Sequence, residues 1–303
     1  MAPEPGSAEP YSPTTVPAGR IAPAGGHLIR AGRAISGKIS AMFAEIGQIG
    51  MFVWKTFTLL PTTIRHYRKQ TLKTMNDMAW GSGSIIVDGG VVSLMFFLGI
   101  AVGAVVAIMA FMAFDLLGFG ALTGIISSFG NIRVVAPIIT GIGFAAQVGC
   151  RMTAEIGAMR ISEEIDATEV MGLRAIPFVV GTRLVGGMLV VLPSYVLALV
   201  ISFITGGIIV KTFHDQPAGT YDHYFAQFVT WQDLLASIAK TLIFCSIVTL
   251  IHCYYGYFAS GGPAGVGAAS GRAIRASLVA IVLLNFLMTV LIWGLNPPLP
   301  FRG

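Results

Sequence analysis

Five of the chain's 14 acidic residues fall between positions 155 and 169, although only 11% of all residues are charged. They are Glu155, Glu163, Glu164, Asp166 and Glu169, with Arg160 among them. Ser162 is a good helix N-cap, and Glu163, Glu164 and Asp166 would then sit in a first turn, where the helix dipole favours anions. Gly172 is a natural C-terminal stop, and Pro177 prevents continuation. The pattern predicts a short helix over about 163–171. Glu163, Asp166 and Glu169 would line one side, with Ile165, Val170 and Met171 supplying apolar contacts. Arg160 has the spacing to pair with Glu163 or Glu164. A charged, capped helix of this kind can receive a docked partner or simply lie solvated, and the residues alone leave both open.

Other chemistries find little support. There is no Gly-x-Ser-x-Gly elbow and no His-Glu-x-x-His pair. Residues Gly32 to Lys38 begin like a phosphate-binding loop, but Ile39 stands where Ser or Thr should hold magnesium. His214 and His223 fall in a polar stretch, 207–233, where solvated histidines are commoner than metal ligands. His252 lies in an apolar run and reads as a hydrogen-bonded structural residue rather than a functional intramembrane histidine. The three cysteines give no disulfide framework. Cys245 and Cys253 are eight apart on one predicted helix, too far to bridge, and Cys150 reads as a small buried residue.

The elements that must carry these residues are membrane spans. Of the 303 residues 55% are hydrophobic, whereas a soluble domain carries about 25% charged residues. A helix needs roughly 20 apolar residues to cross a ~30 Å hydrocarbon core. Five stretches qualify, at about 85–113, 134–154, 178–206, 234–258 and 273–294. They are continuous rather than alternating, which favours helices over a β-barrel. With the N-terminus inside, 15 of the 19 Lys and Arg residues fall on that side. Only Arg133, Lys211, Lys240 and Arg302 fall outside, so the positive-inside rule predicts N-in and C-out. The basic balance reports topology, not nucleic acid. Residues 1–26 read as a disordered Pro/Ala/Gly-rich tail without a cleavable leader, and 27–76 as an amphipathic, basic segment. In that segment Ile35, Ile39, Met42, Ile46, Ile49 and Val53 form one stripe of a helix. The helix can lie in the interface or pack on the spans, and Pro61 is expected to end it. The permease domain would run over 77–296, with a short tail at 297–303. Gly99 and Gly103 permit close helix packing.

The stretch Ala154-Glu155-Ile156-Gly157-Ala158-Met159-Arg160-Ile161-Ser162-Glu163-Glu164-Ile165-Asp166-Ala167, followed by Met171-Gly172 and Pro177, resembles the signature of the MlaE/YrbE permeases, the membrane subunits of Mce-type ABC lipid transporters. Gly261-Gly262-Pro263-Ala264-Gly265 resembles that family's Gly-rich segment before its last span. The resemblance covers roughly residues 85–295. Three positions depart: Val134 and Ala264 replace a usual Glu, and Gln147 replaces a usual Arg. With the basic extension, these departures resemble a B-type YrbE subunit of an actinobacterial Mce complex.

The resemblance implies an all-α membrane protein with an N-terminal amphipathic interfacial helix, five spans and a cytoplasmic coupling helix between spans two and three. It implies a multi-pass protein of the plasma (inner) membrane that moves lipid: fatty acid, phospholipid or sterol. It implies pairing with a second YrbE-like subunit, docking of a cytoplasmic ATPase and capping outside by Mce-domain proteins. ATP and magnesium would sit on the ATPase, with no cofactor and no enzymatic activity on this chain. Glu155, Met159, Arg160, Glu163, Asp166, Glu169 and Met171 would serve docking or coupling. Val134, Ile108, Phe111 and Met112 would border the lipid path. Two rivals remain. An ion-coupled secondary transporter needs ionisable residues near the midplane, whereas Asp88 and Lys240 are expected near span ends. A lipid-modifying enzyme needs a convergent constellation that the sequence does not offer.

Overall fold

The computed structural model describes the backbone of residues 26–81, 89–214 and 216–294, with the side chains of 26–43, 45, 46, 121 and 218 outside the described residues. Residues 1–25, which hold the expected tail, and Asp88 also lie outside the described residues. The chain forms two compact units, residues 1–50 and 51–303. Of the first unit the helical backbone from residue 26 is described, with the side chains of 44 and 47–50, all exposed. Every secondary-structure element of the second, among the described residues, is a helix.

Helix α1 spans Gly26–His66 and contains both Gly32 to Lys38 and Pro61. The phosphate-loop-like residues are therefore helical, and Pro61 does not end the helix. Thr63, just beyond it, is buried and donates to the Pro177 carbonyl at 3.2 Å, which fixes the last turn, while Pro61 itself faces outward. Phe52 and Thr56 are also buried, and Phe52 packs on Tyr254, Tyr257 and Phe258. Met51, Trp54, Phe57 and Ile64 are exposed on the other side. Within residues 51–66 the helix thus packs on the spans with one face and offers the other to lipid. Of the predicted stripe, Ile35, Ile39, Met42 and Ile46 lie outside the described side chains. Helix α2 follows at Arg68–Trp80.

Five helices are long and apolar enough to span a membrane: α3 (Val91–Asp115), α4 (Thr123–Ile161), α6 (Ile176–Phe213), α8 (Trp231–Tyr257) and α9 (Gly262–Trp293). Two short helices join them, α5 (Glu164–Val170) and α7 (Ala218–Phe228). The largest interhelical packing is α3 on α6. A Cβ at Gly99 would come within 2.7 Å of the Ala198 carbonyl oxygen, and one at Gly103 would strike the Ser202 carbonyl. Only glycine allows that approach, as expected of small residues four apart at a membrane-helix interface.

Span two begins at Thr123, eleven residues, or about three turns, before the predicted 134. Several of its polar groups find partners inside the bundle, while Ser127 Oγ and Asn131 Oδ1 are buried without a hydrogen bond. Ser128 Oγ donates to the Gly124 carbonyl at 2.8 Å, and Asn131 Nδ2 donates to Ser202 Oγ at 2.7 Å. Wide π-type turns at Ile126–Val135 and Ala145–Gly149 sit in this helix. The predicted polar loop 207–233 is also mostly helical. Span three continues to Phe213, and α7 buries Tyr221 and Phe228 on one face. Helix α9 is the least covered, with Val279, Val282, Leu283, Phe286, Leu287 and Leu291 all exposed.

Candidate functional site: a short junction helix and a buried polar cluster

Helix α5 stands at the junction of α4 and α6. Ser162 is not its N-cap; it closes α4, donating its hydroxyl to the Ala158 carbonyl at 3.0 Å. Glu163 then turns the chain with φ 58°, the one non-glycine residue in the left-handed region among those described. Only Ser162 and Glu163 separate α4 from α5. Glu163 therefore does not share the helical face of Asp166 and Glu169. Glu164 and Asp166 occupy the first turn. The C-terminus closes as expected at Gly172 (φ 79°). Leu173 N–H donates to the Thr168 carbonyl at 3.1 Å and Gly172 N–H to the Glu169 carbonyl at 3.0 Å, the paired bonds of a Schellman cap.

Ile165 is fully buried and pins the helix to the core. Val170 and Met171 are not apolar contacts within the protein; they are 90% and 68% exposed. Met159 packs partly against the core, away from that tip. Arg160 pairs with Asp166 at 2.6 Å rather than with Glu163 or Glu164, because the left-handed turn swings the first turn of α5 back toward α4. Glu155 lies further up α4. Its two oxygens accept from Arg151 Nε at 2.8 Å and from an Arg183 guanidinium nitrogen at 3.2 Å, joining α4 to the start of α6.

At the opposite end of the bundle lies a cluster that the sequence reading missed. Arg133 pairs with Asp233 at 2.9 Å, with side chains only 12% and 8% exposed. Asp233 also accepts from Trp293 Nε1 at 2.7 Å and from Thr230 Oγ1 at 2.7 Å. Lys240 is fully buried and donates to the Arg133 carbonyl at 2.9 Å and Thr289 Oγ1 at 2.7 Å. It stands nine residues into α8, about 14 Å along the axis, and so is not near a span end. The cluster ties α4, α8 and α9 together. The available signal was three charges, Arg133, Asp233 and Lys240, in the same-end halves of two spans, since intramembrane charges pair with one another.

The four lipid-path residues do not form one group. Ile108 and Met112 lie on the exposed face of α3, whereas Phe111 turns away and stacks on His214 with ring centroids 3.9 Å apart. Val134 is partly exposed on α4, beside Arg133. His223 lies edge-on to Tyr224. His252 has the expected structural role: its Nδ1 lies 2.8 Å from Thr153 Oγ1, and Gly149 leaves space for the ring.

The model of the family described as Permease MlaE matches residues 83–291. The chain belongs to the MlaE permease family. A probable ABC transporter permease protein of Rickettsia bellii is 28% identical over 190 residues, covering 62% of this chain and 73% of the relative. One from Synechocystis is 29% identical over 231 residues, covering 75% and 82%. The intermembrane phospholipid transport system permease protein MlaE of Haemophilus influenzae is 23% identical over 266 residues, covering 86% and 97%. With five apolar helices and this membership, the MlaE-family chain is a multi-pass membrane protein. It is the membrane subunit of a transporter rather than its ATPase.

Proposed function

We propose that this chain is one permease half of an ATP-driven lipid transporter, engaged by its ATPase through α5. The observation that carries the reading is a rigidly mounted apolar tip. Ile165 is buried beneath it, the Schellman cap closes it, and Val170 and Met171 project outward. Exposed apolar side chains on a fixed element suit a partner's groove. Arg160 and Asp166 would hold the tip's angle to α4, and Glu155 would carry its movement to Arg183 and α6. ATP and magnesium would bind the partner, leaving this chain without cofactor or enzymatic activity.

The Haemophilus influenzae relative is named for intermembrane phospholipid transport, which supports a lipid as cargo here. The exposed ridge of α9 suits a second YrbE-like subunit, and the outer end would meet Mce-domain proteins. Val134, Gln147 and Ala264 fit a B-type subunit whose sister keeps the missing charges. The distribution of basic residues supports a cytoplasmic N-terminus and α5, with the C-terminus outside the inner membrane.

Gentle detergent purification from the host, with crosslinking from Met171→Cys and mass spectrometry of the captured chains, tests this. Capture of an ATPase is the expected result. A clean monomer with no ATPase would break the docking argument. One observation favours a second reading, an ion-coupled carrier: Lys240 is buried well inside α8. Reconstituted vesicles separate the two, since lipid movement driven by a proton or sodium gradient without ATP would favour the carrier.

A further inference from the structure

A cavity of about 260 Å3 opens at the α5 end of the bundle, between α2, the start of α3, α4 and the start of α6. Its charged lining is Lys73, Asp77, Arg151, Glu155 and Arg183. These groups are not equally engaged. Glu155 is shared by the two arginines, and Arg151 also reaches the Asp77 carbonyl at 3.4 Å. Lys73 and the Asp77 carboxylate have no ion-pair partner among the described residues, and Arg183 Nε is buried without a hydrogen bond. Lys73 and Asp77 sit one turn apart on α2 in the order Lys-then-Asp, the weaker orientation for a pair within a helix. The cavity wall therefore offers an uncommitted cation, an uncommitted carboxylate and an unused guanidinium donor.

A buried donor without a partner is costly, and a ligand carrying both charges would satisfy all three groups. The neighbouring surface indicates where that ligand resides. Leu72 and Trp80, on the same helix, are exposed, and tryptophan favours the membrane–water interface. A soluble zwitterion has no use for that apolar flank, whereas acyl chains do. We propose that this cavity binds the headgroup of a zwitterionic phospholipid, with its phosphate at Lys73 and Arg183 and its ammonium at Asp77. The site rests on the membrane placement of the bundle and not on ATP-driven transport, so its failure would leave that reading standing.

The test uses the full chain, delipidated in detergent with its copurifying partners, and native mass spectrometry of retained lipid. Phosphatidylethanolamine and phosphatidylglycerol are offered at equal concentration, and inorganic phosphate is offered separately as a competitor. Phosphatidylethanolamine should be retained about tenfold better than phosphatidylglycerol, as one charge-assisted hydrogen bond would give. Asp77→Asn should abolish that preference, Lys73→Gln should weaken both lipids, and Lys73→Arg should restore them. Lys73 is exposed and Asp77 half-buried, and thermal melting verifies that the variants fold. Equal retention of the two lipids, or an unchanged preference in Asp77→Asn, would overturn the proposal. So would displacement of phosphatidylethanolamine by an equal concentration of inorganic phosphate, which would mark a simple anion site.

Discussion

Arg160 and Asp166 meet at 2.6 Å across six residues, joining the last turn of α4 to the first turn of α5. At 38% and 57% side-chain exposure the pair is screened by solvent, so it contributes at most about 1 kcal/mol to stability. Its role is angular: it fixes α5 against α4 after the left-handed residue Glu163. Asp166→Asn should therefore shift the melting temperature by no more than about 2–4 °C. ATP-dependent lipid movement in reconstituted vesicles should nonetheless fall several-fold. Full transport by the variant would show that the pair is ornamental.

The tip of α5 separates docking from folding. Met171→Asp and Val170→Asp place charge on side chains that already face water, so folding should be unaffected. Copurification of the ATPase should drop about tenfold, the scale of losing one apolar anchor. Ile165→Ala acts differently, because Ile165 is fully buried. Truncating it should cost about 2–5 kcal/mol and lower the melting temperature. Loss of ATPase from Ile165→Ala alone, with both tip variants unaffected, would count against direct contact.

Gly103 tests the closest helix approach. Its missing Cβ leaves space for the Ser202 carbonyl, a backbone atom that cannot turn aside. Gly103→Leu should separate α3 from α6, and the protein should aggregate on detergent extraction. Gly47, where a Cβ would meet nothing within 4 Å, supplies the control: Gly47→Ala should extract normally. Equal yields for the two variants would show that the α3–α6 contact contributes little.

What was legible in the sequence was whatever depends on uninterrupted apolar length. Each of the five apolar runs corresponds to one spanning helix, because a single helix satisfies its own backbone in lipid, although spans two, three and five extend well past the predicted bounds. The exit from α5 was legible too, since Gly172 has the φ that a Schellman cap needs. Its entry was not. Ser162 suits an N-cap by type, but with only two residues between the helices Ser162 closes α4 and Glu163 takes the left-handed turn. The early start of span two was hidden because Ser128 looks like a loop residue although it bonds within its own helix, and Asn131 and Arg133 do until their partners on other helices are known. Pro61 misled for a similar reason: tertiary anchoring of Thr63 overrides a local breaker.

The Arg133–Asp233 pair gives the sharpest test of the buried cluster. Asp233 accepts from Arg133, Thr230 and Trp293, and Arg133 stacks over Phe129 at 3.8 Å. Removing one partner leaves a guanidinium in a dry site, which costs about 3–5 kcal/mol, whereas replacing both by apolar residues of similar volume is near neutral. Asp233→Leu should therefore melt well below the parent in detergent, and Arg133→Met with Asp233→Leu should regain most of the loss. The double variant should not regain lipid movement if the charges serve transport as well as folding. If it melts no higher than Asp233→Leu, the pair is not the element that holds α4 to α8, and Lys240, bonded to the Arg133 carbonyl and Thr289, becomes the group to replace next.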